Sequence, residues 1–263
     1  MKRTLPLALI FALVCALPLG GCAERADATE VTVFAAASLT EALSAIAERY
    51  KSVAPEVTLR FNFDSSGTLK TQIEEGADCD LFLSAAPKQM DELAGGGLIA
   101  AETRVDLLEN QVVLAVPEGN PKGLWSFDGL ASALRSGEIL LAMGNADVPV
   151  GQYAQRIFDY YGLREDELAA KGVLTYGSNV KEVTAQVAEA AVDCGIVYRT
   201  DAYSANLIIM DTAAPEMCGQ AVYPAAVLKN AAHASGAAAF LDYLRGPEAT
   251  AVFEGAGFTS LMK

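Results

Sequence analysis

The chain has 263 residues, 52% of them hydrophobic, and this length can bury one or two substantial cores. Its 33 acidic residues outnumber the 19 Lys and Arg, giving a formal net charge of −14 with no basic run, which excludes nucleic acid as a partner. An anionic ligand would have to be held by short-range hydrogen bonds that work against this negative field. A single histidine, His233, and the absence of a Cys-x-x-Cys motif argue against a zinc site of the usual kind.

The N-terminal segment has the pattern of a bacterial lipoprotein signal. Met1-Lys2-Arg3 is basic, residues 5–19 are apolar, and Leu19-Gly20-Gly21-Cys22 matches the lipobox, in which the cysteine is acylated after cleavage. We predict a signal peptide over residues 1–21 and a tether over residues 22–29, anchored through Cys22 to the outer face of the cell membrane. The alternative is an ordinary signal peptide cut a few residues later, which would release the protein. Cleavage removes two basic residues, so the mature chain carries about −16.

Strand and helix patterns alternate from residue 30 onwards. β-rich runs predict strands over residues 31–34, 57–63 and 81–83. Helical spacing of apolar residues predicts helices over residues 39–50 and 68–75, and Pro87 in a first turn predicts a further helix from Ala86. This succession of βαβ units is typical of a mostly parallel sheet.

A second series of strands and helices follows the turn at residues 117–121. Its predicted strands cover residues 111–116, 139–143, 173–176, 195–198 and 207–210. Its helices cover residues 152–161 and 180–191, and Asn179 and Glu182 are spaced as a capping pair for the second of them. The chain closes with a strand over residues 222–228 and helices over residues 235–244 and 247–254.

These patterns predict an α/β fold of two lobes, each a mostly parallel sheet flanked by helices. Residues 30–109 together with 222–263 form lobe I, and residues 110–221 form lobe II. The hinges then lie near residues 108–111 and 220–224.

Three cysteines remain in the mature fold, in a compartment that permits disulfides. They are Cys79, Cys194 and Cys218. Because their number is odd, at most one pair forms; spacing slightly favours Cys194 with Cys218, and a fold without any disulfide stays open.

Small or hydroxylated residues stand where the predicted strands give way to helices, at residues 35–38 (AAAS), 64–68 (DSSGT), 148–151 (VPVG) and 177–180 (GSNV). Ligands bind at the carboxyl ends of parallel strands, and unpaired N–H groups at helix starts form an anion site that needs no Lys or Arg. A plainer alternative is that Ser38, three residues before Glu41, caps a helix, and that Ser66 does the same. Lys70 and Lys181 are expected to be solvated on helix surfaces.

The chain resembles the family of periplasmic molybdate-binding proteins, and the matching stretches span nearly all of the mature chain in the family's order. They are residues 33–40 (VFAAASLT), 63–69 (FDSSGTL), 80–85 (DLFLSA), 148–154 (VPVGQYA), 195–198 (GIVY) with Asp201-Ala202, 222–227 (VYPAAV) and 257–259 (GFT). The resemblance implies a type II periplasmic-binding-protein clamshell that encloses a tetrahedral oxyanion.

The same resemblance implies roles for five residues. Ser38 and Ser66 donate hydrogen bonds from lobe I through hydroxyl and amide, Val150 and Val180 donate backbone amides from lobe II, and Tyr198 donates its phenol. Molybdenum is thus held only as the oxyanion, without direct protein ligands to the metal, and no cofactor is implied. The family often has alanine in place of Val150 and serine in place of Gly67, and residues 177–179 before Val180 differ from its usual sequence.

The expected function is that of a monomeric, lipid-anchored solute-binding protein, not an enzyme, which captures molybdate or tungstate and delivers it to the permease and ATPase of an ABC transporter. The alternatives are a binder of another ligand, such as sulfate, phosphate or ferric iron, and a secreted hydrolase with Ser38 or Ser66 as nucleophile. The hydrolase lacks a Gly-x-Ser-x-Gly motif, and His233 is remote from any strand end.

Overall fold

The computed structural model describes residues 29–262, so the predicted signal peptide and Cys22 lie outside the described residues. The strands in this part of the chain are β1 (Thr29–Ala36), β2 (Val57–Asp64), β3 (Leu81–Leu83), β4 (Val105–Asn110), β5 (Val112–Val116), β6 (Leu141–Gly144), β7 (Leu174–Gly177), β8 (Cys194–Tyr198), β9 (Ile208–Thr212), β10 (Ala221–Val227) and β11 (Thr259–Ser260). The helices are α1 (Thr40–Tyr50), α2 (Ser66–Glu74), α3 (Pro87–Gly95), α4 (Phe127–Ser136), α5 (Pro149–Tyr160), α6 (Glu165–Ala170), α7 (Val180–Ala188), α8 (Arg199–Ser204), α9 (Pro215–Cys218), α10 (Ala234–Leu244) and α11 (Pro247–Gly255). Within residues 29–262, none of the helices has both the length and the apolar character that a membrane span requires.

The strands form two sheets in which parallel and antiparallel pairs are combined. The first sheet has the order β11-β4-β10-β3-β1-β2, and the second has the order β7-β6-β8-β5-β9. β1 runs parallel to β2 and β3, and β6 runs parallel to β7 and β8. The remaining pairs, made by β10, β11 and β5, are antiparallel. The two-lobed α/β fold is confirmed, but the sheets are mixed and not mostly parallel, because β5 and β10 enter beside the parallel strands in the opposite direction.

Each sheet is the centre of one lobe. We call the first sheet with α1, α2, α3, α10 and α11 lobe I, and the second sheet with α4 to α9 lobe II. The chain crosses from lobe I to lobe II at Gln111, between β4 and β5, and returns after α9 into β10. Because β4 and β10 are neighbours in the first sheet, the two crossings lie side by side.

The helices form where one face can be buried. In α1, Leu43 and Ile46 are fully buried, and the helix packs against α11. Helix α4 was not predicted, although Phe127, Leu130 and Leu134 recur at helical spacing. Its ends are also marked, because Ser126 Oγ accepts the N–H of Gly129 and Gly137 follows the last turn with φ of 79°. Helices α6, α8 and α9 and strands β4 and β11 were likewise not predicted.

All three cysteines of the described chain are free and buried. The slight preference for a pair between Cys194 and Cys218 is therefore wrong. Cys194 belongs to β8 in the second sheet and Cys218 ends α9, so their proximity in sequence does not bring them together in the fold.

Candidate functional site

A small cavity lies between the two lobes, at the ends of strands from both sheets. It is lined by residues 36–38, 64–66 and 148–150 together with Ala85, Val180 and Tyr198. The cavity is small, with a volume of about 10 Å³. All five residues predicted to bind the oxyanion line this cavity, although they come from segments up to 160 residues apart in the sequence.

Three of these residues stand at the starts of helices, where N–H groups have no partner within the helix. Ser66 is the first residue of α2, Val150 is the second residue of α5 after Pro149, and Val180 is the first residue of α7. The capping side chains leave the first amides free. Ser65 accepts from Thr68 N in α2. In α7, Asn179 accepts from Lys181 N and Glu182 N, which confirms the predicted cap and leaves the Val180 amide unpaired.

Ser66 is not the cap of its helix, since Ser65 has that function. Its own hydroxyl oxygen is fully buried and accepts a hydrogen bond from Ala85 N at 2.9 Å. Because a serine hydroxyl has one proton and this contact uses only the oxygen, the Ser66 proton remains available for an acceptor in the cavity.

Ser38 is also not a cap. It lies in the 3-10 turn Ala37–Leu39, and no side chain caps α1, which begins only at Thr40. The capping-box alternative is wrong because the turn shifts the start of the helix beyond the serine. Ser38 Oγ is buried and lies 2.9 Å from the hydroxyl oxygen of Tyr223.

The hydrogen bonds around Tyr223 limit which way the protons point. Gln111 N donates to Asn110 Oδ1 at 2.8 Å, so the Asn110 amide nitrogen must face the hydroxyls of Tyr223 and Thr200, at 3.2 and 2.9 Å. Tyr223 accepts from Asn110, and within the Ser38–Tyr223 contact either hydroxyl can be the donor; in one arrangement Tyr223 donates its proton to Ser38 Oγ. The Ser38 proton is then free to be donated into the cavity. Neither Asn110 nor Tyr223 was singled out in the sequence, and only the stretch 222–227 hinted at the second.

Tyr198 ends β8, and its ring is buried against Tyr153 and Tyr223. Its hydroxyl donates to Ala85 O at 3.3 Å, across the cleft. Burial raises the pKa of Tyr198 well above its ordinary value, and the neighbouring Tyr223 adds to this effect, so the phenol keeps its proton and is a donor at neutral pH. Donation to an anion would require this proton to leave the long contact with Ala85 O.

The two lobes touch beside the cavity. Gly67 of α2 lies so close to Asp147 of lobe II that a Cβ at this position would stand 2.2 Å from the Asp147 carbonyl oxygen. Asn179 Nδ2 lies 3.4 Å from Asp64 Oδ1, and Lys181 Nζ lies 2.8 Å from both carboxylate oxygens of Glu41. The cleft is therefore closed. The expectation that Lys181 is a solvated helix-surface side chain is wrong, because it pairs across the cleft.

Comparison with known proteins identifies the family. Residues 31–259 match the family model described as bacterial extracellular solute-binding protein. The chain belongs to this family. This solute-binding protein is 37% identical over 239 residues to the molybdate-binding protein ModA of Escherichia coli (strain K12), covering 89% of this chain and 90% of that protein. It is 34% identical over 259 residues to YvgL of Bacillus subtilis (strain 168), whose name describes a substrate-binding lipoprotein of an ABC transporter, covering 95% of this chain and 96% of YvgL.

The fold of the solute-binding protein is also that of a solved relative. The periplasmic molybdate-binding protein of Azotobacter vinelandii superposes with a TM-score of 0.75 at 23% identity, covering 87% of this chain and 98% of that one. This likeness supports the two-lobed fold.

The family serves transport and is not a family of enzymes. His233 is not placed to act as a base for Ser38 or Ser66, because its Nδ1 lies 3.5 Å from Asp80 Oδ2 and the residue does not line the cavity. Iron would require a cluster of tyrosines or carboxylates, and the residues in the sequence that could supply one, Tyr153, Tyr160, Tyr161 and Asp147, are equally absent from the lining. Among residues 29–262, no group of three or more His, Cys, Asp or Glu side chains is placed to hold a metal ion.

Proposed function

We propose that this protein captures a tetrahedral oxyanion, molybdate or tungstate, in the cavity between its lobes and delivers it to the permease and ATPase of an ABC transporter. The observation that carries the proposal is the convergence of uncharged donors from both lobes on one small cavity. The name of the Escherichia coli relative supports molybdate as the anion.

The uncharged donors are numerous enough to give a large favourable contribution to the free energy of binding without a positive charge. Ser38 and Ser66 offer a hydroxyl and an amide each, Val150 and Val180 offer an amide each, and Tyr198 offers its phenol. Hydrogen bonds to a charged group contribute roughly 1.5–3 kcal/mol each, so these donors together exceed the roughly 8 kcal/mol of a micromolar complex before desolvation and closure are subtracted. Because donors come from both lobes, the anion binds the closed state preferentially and stabilises it.

One feature of the lining favours a second candidate, a protonated oxyanion such as hydrogen phosphate. Among the described residues that line the cavity, only Asp64 carries a formal charge. A carboxylate accepts a hydrogen bond from a protonated oxyanion and repels a dianion that has no proton. However, Asp64 Oδ1 already accepts from Ser65 N at 2.7 Å, which reduces its capacity to accept from a ligand and favours molybdate.

We assign residues 30–110 with 221–262 to lobe I and residues 111–220 to lobe II, one residue from the predicted bounds at each crossing, because β4 ends at Asn110 and β10 begins at Ala221. We propose that the two crossings act as hinges for closure. We also propose that Cys22 carries a lipid anchor that keeps the monomeric protein at the outer face of the cell membrane. Mass spectrometry of the protein from its native membrane tests the anchor directly: a diacylglycerol adduct on Cys22 supports it, and an unmodified chain that begins at or after Ala23 refutes it.

The experiment that tests the ligand is a thermal-shift screen with molybdate, tungstate, sulfate and phosphate, followed by calorimetry. A ligand of the folded state raises the melting temperature by mass action, by an amount that grows with concentration over Kd. We expect molybdate and tungstate to raise it most. Ser38→Ala should weaken binding about 10-fold or more, while Ser44→Ala, at an exposed position of the following helix α1, should not. A larger shift with phosphate would favour the second candidate.

A further inference from the structure

The first turn of α7 is held against lobe I on both sides of the Val180 amide. On one side, Asn179 Nδ2 lies 3.4 Å from Asp64 Oδ1. On the other side, Lys181 Nζ lies 2.8 Å from both carboxylate oxygens of Glu41 in α1. The residue between these two contacts lines the cavity. The placement of the Val180 amide relative to lobe I therefore depends on contacts made by its neighbours.

Lys181 is held in place by its own lobe. Its Nζ lies 3.0 Å from Asp201 Oδ1 and 3.3 Å from Ser204 Oγ, both in α8. The Asp201 side chain is 0% exposed, so its charge is compensated inside lobe II by this lysine. Burial by itself lowers the pKa of Lys181, but the Asp201 and Glu41 carboxylates outweigh it and raise the pKa above its ordinary value. The ammonium group is thus charged and oriented towards lobe I by Asp201.

We propose that Lys181 is a positioning residue for ligand binding: Asp201 fixes it in lobe II, and its ion pair with Glu41 of lobe I forms only on closure and holds the Val180 amide against the bound anion. This inference rests on the proposed function of oxyanion capture. The pair adds no direct contact with the ligand. It stabilises the liganded, closed state relative to the open state, and so lowers Kd by slowing release.

The expected magnitude is modest, because Lys181 is 30% exposed and Glu41 is 54% exposed. Ion pairs with this much solvent contact alter an equilibrium by about 2- to 5-fold, and an ammonium that is already held in position falls at the upper end. An ion pair that acts after encounter changes the dissociation rate constant more than the association rate constant. Salt weakens it, since exposed charges are screened.

The sharpest variant is Glu41→Gln, which breaks only the contact between lobes and leaves Asp201 paired with Lys181. Glu48→Gln is the matched control: it removes the same charge from the same helix, but Glu48 pairs only with Lys51 of its own lobe. With molybdate as the probe, Glu41→Gln should raise Kd about 5-fold, mainly through a faster dissociation rate measured by stopped-flow displacement. The difference from the wild type should shrink in 0.5 M salt, because this concentration shortens the Debye length to about 4 Å. Glu48→Gln should bind as the wild type does.

A second variant examines the lysine without leaving a buried bare charge. Lys181→Met combined with Asp201→Asn removes both charges of the Lys181–Asp201 pair in lobe II. This double variant should raise Kd to the same extent as Glu41→Gln. Adding Glu41→Gln to this double variant should have no further effect on Kd, because the ion pair between Glu41 and Lys181 is already absent.

The outcomes separate the two proposals. If the wild type binds none of molybdate, tungstate, sulfate and phosphate, the proposed function fails, and the role of Lys181 falls with it. If the wild type binds one of these anions and Glu41→Gln has the same Kd and dissociation rate as Glu48→Gln, the proposed function stands and the role of Lys181 is refuted. Additive effects of the triple variant would also refute it.

Discussion

Gly67→Ala is expected to weaken anion binding without weakening the fold. Gly67 is the second residue of α2, and its added Cβ would stand 2.2 Å from Asp147 O, 2.9 Å from Asp147 C and 3.0 Å from Asp147 Cβ. The first two atoms are backbone and cannot rotate away. Because ordinary contact begins near 3.4 Å, lobe I and lobe II must move apart by about 1 Å at this point.

The chain passes between the two sheets at two adjacent crossings, so we expect opening at these hinges, and not distortion within either sheet, to relieve the overlap. An opening of about 1 Å would stretch hydrogen bonds from the nearby Val150 amide and its neighbours beyond effective length. Losing one or two bonds to a charged ligand costs about 2–3 kcal/mol, which corresponds to roughly a 30- to 150-fold rise in Kd. Within lobe I, alanine is the better helix former by up to about 1 kcal/mol, so the unliganded protein should melt at the same or a higher temperature.

Calorimetry with molybdate and thermal unfolding without it measure the two effects separately. The matched control is Gly95→Ala at the end of α3, where a Cβ meets nothing within 4 Å. We expect Gly95→Ala to bind as the wild type does. If Gly67→Ala binds molybdate as tightly as Gly95→Ala, then the bound state is more open than the closed cleft described above, and the inference from Asp147 fails.

Three further outcomes are expected. Burial raises the pKa of Asp201 from 3.8 to about 6 against the opposing effect of Lys181, so the folded state loses stability from this group as pH rises from about 4 to 6. The free energy of unfolding of Asp201→Asn, relative to that of the wild type, should therefore be greater at pH 7.5 than at pH 4, and a constant difference in urea titrations would contradict this. Tyr223→Phe removes the hydroxyl that is hydrogen-bonded to Ser38 Oγ and should raise Kd for molybdate about 10-fold in calorimetry, whereas an unchanged Kd would show that binding does not depend on this contact. Burial raises the pKa of Cys79 to about 12 and that of Cys218 to about 11, and it also raises the pKa of Cys194. At pH 8 these three thiols should therefore react with a disulfide reagent only after the protein unfolds. Rapid reaction of the native protein would contradict their burial.

The sequence predicted the strand and helix alternation well, because most of the parallel strands, β1, β3, β6 and β8, are largely buried and appear as apolar runs. The sequence did not indicate whether each strand runs parallel or antiparallel to its neighbours. The predicted hinge over residues 108–111 overlaps the end of β4, a strand that was not predicted and that pairs with β10 in the first sheet. Asp106, Glu109 and Asn110 interrupt the apolar pattern of this strand. Whether a strand enters its sheet parallel or antiparallel depends on where the chain returns, and local periodicity contains no information about that.

At the candidate site, the sequence could place residues at helix starts but could not assign their hydrogen bonds. Ser65 and Ser66 are adjacent and chemically identical, and only the geometry shows that the first caps α2 and the second accepts from Ala85 N. Glu41 has the spacing of a capping box, yet its side chain reaches Lys181 across the cleft. A contact between residues 140 positions apart depends on closure of the two lobes, which no local pattern specifies.

The charges near the cavity explain why an acidic protein can use uncharged donors for an anion. The Lys181 ammonium is flanked by Glu41 and Asp201, so this cluster carries no net positive charge that would attract an anion from solution. The attraction must come from N–H groups at the starts of α2, α5 and α7, whose dipoles act only over the length of a turn. Because water between the lobes would weaken these short-range interactions, binding depends on closure that excludes it. The contacts that hold the lobes together therefore contribute to affinity even though they do not touch the ligand.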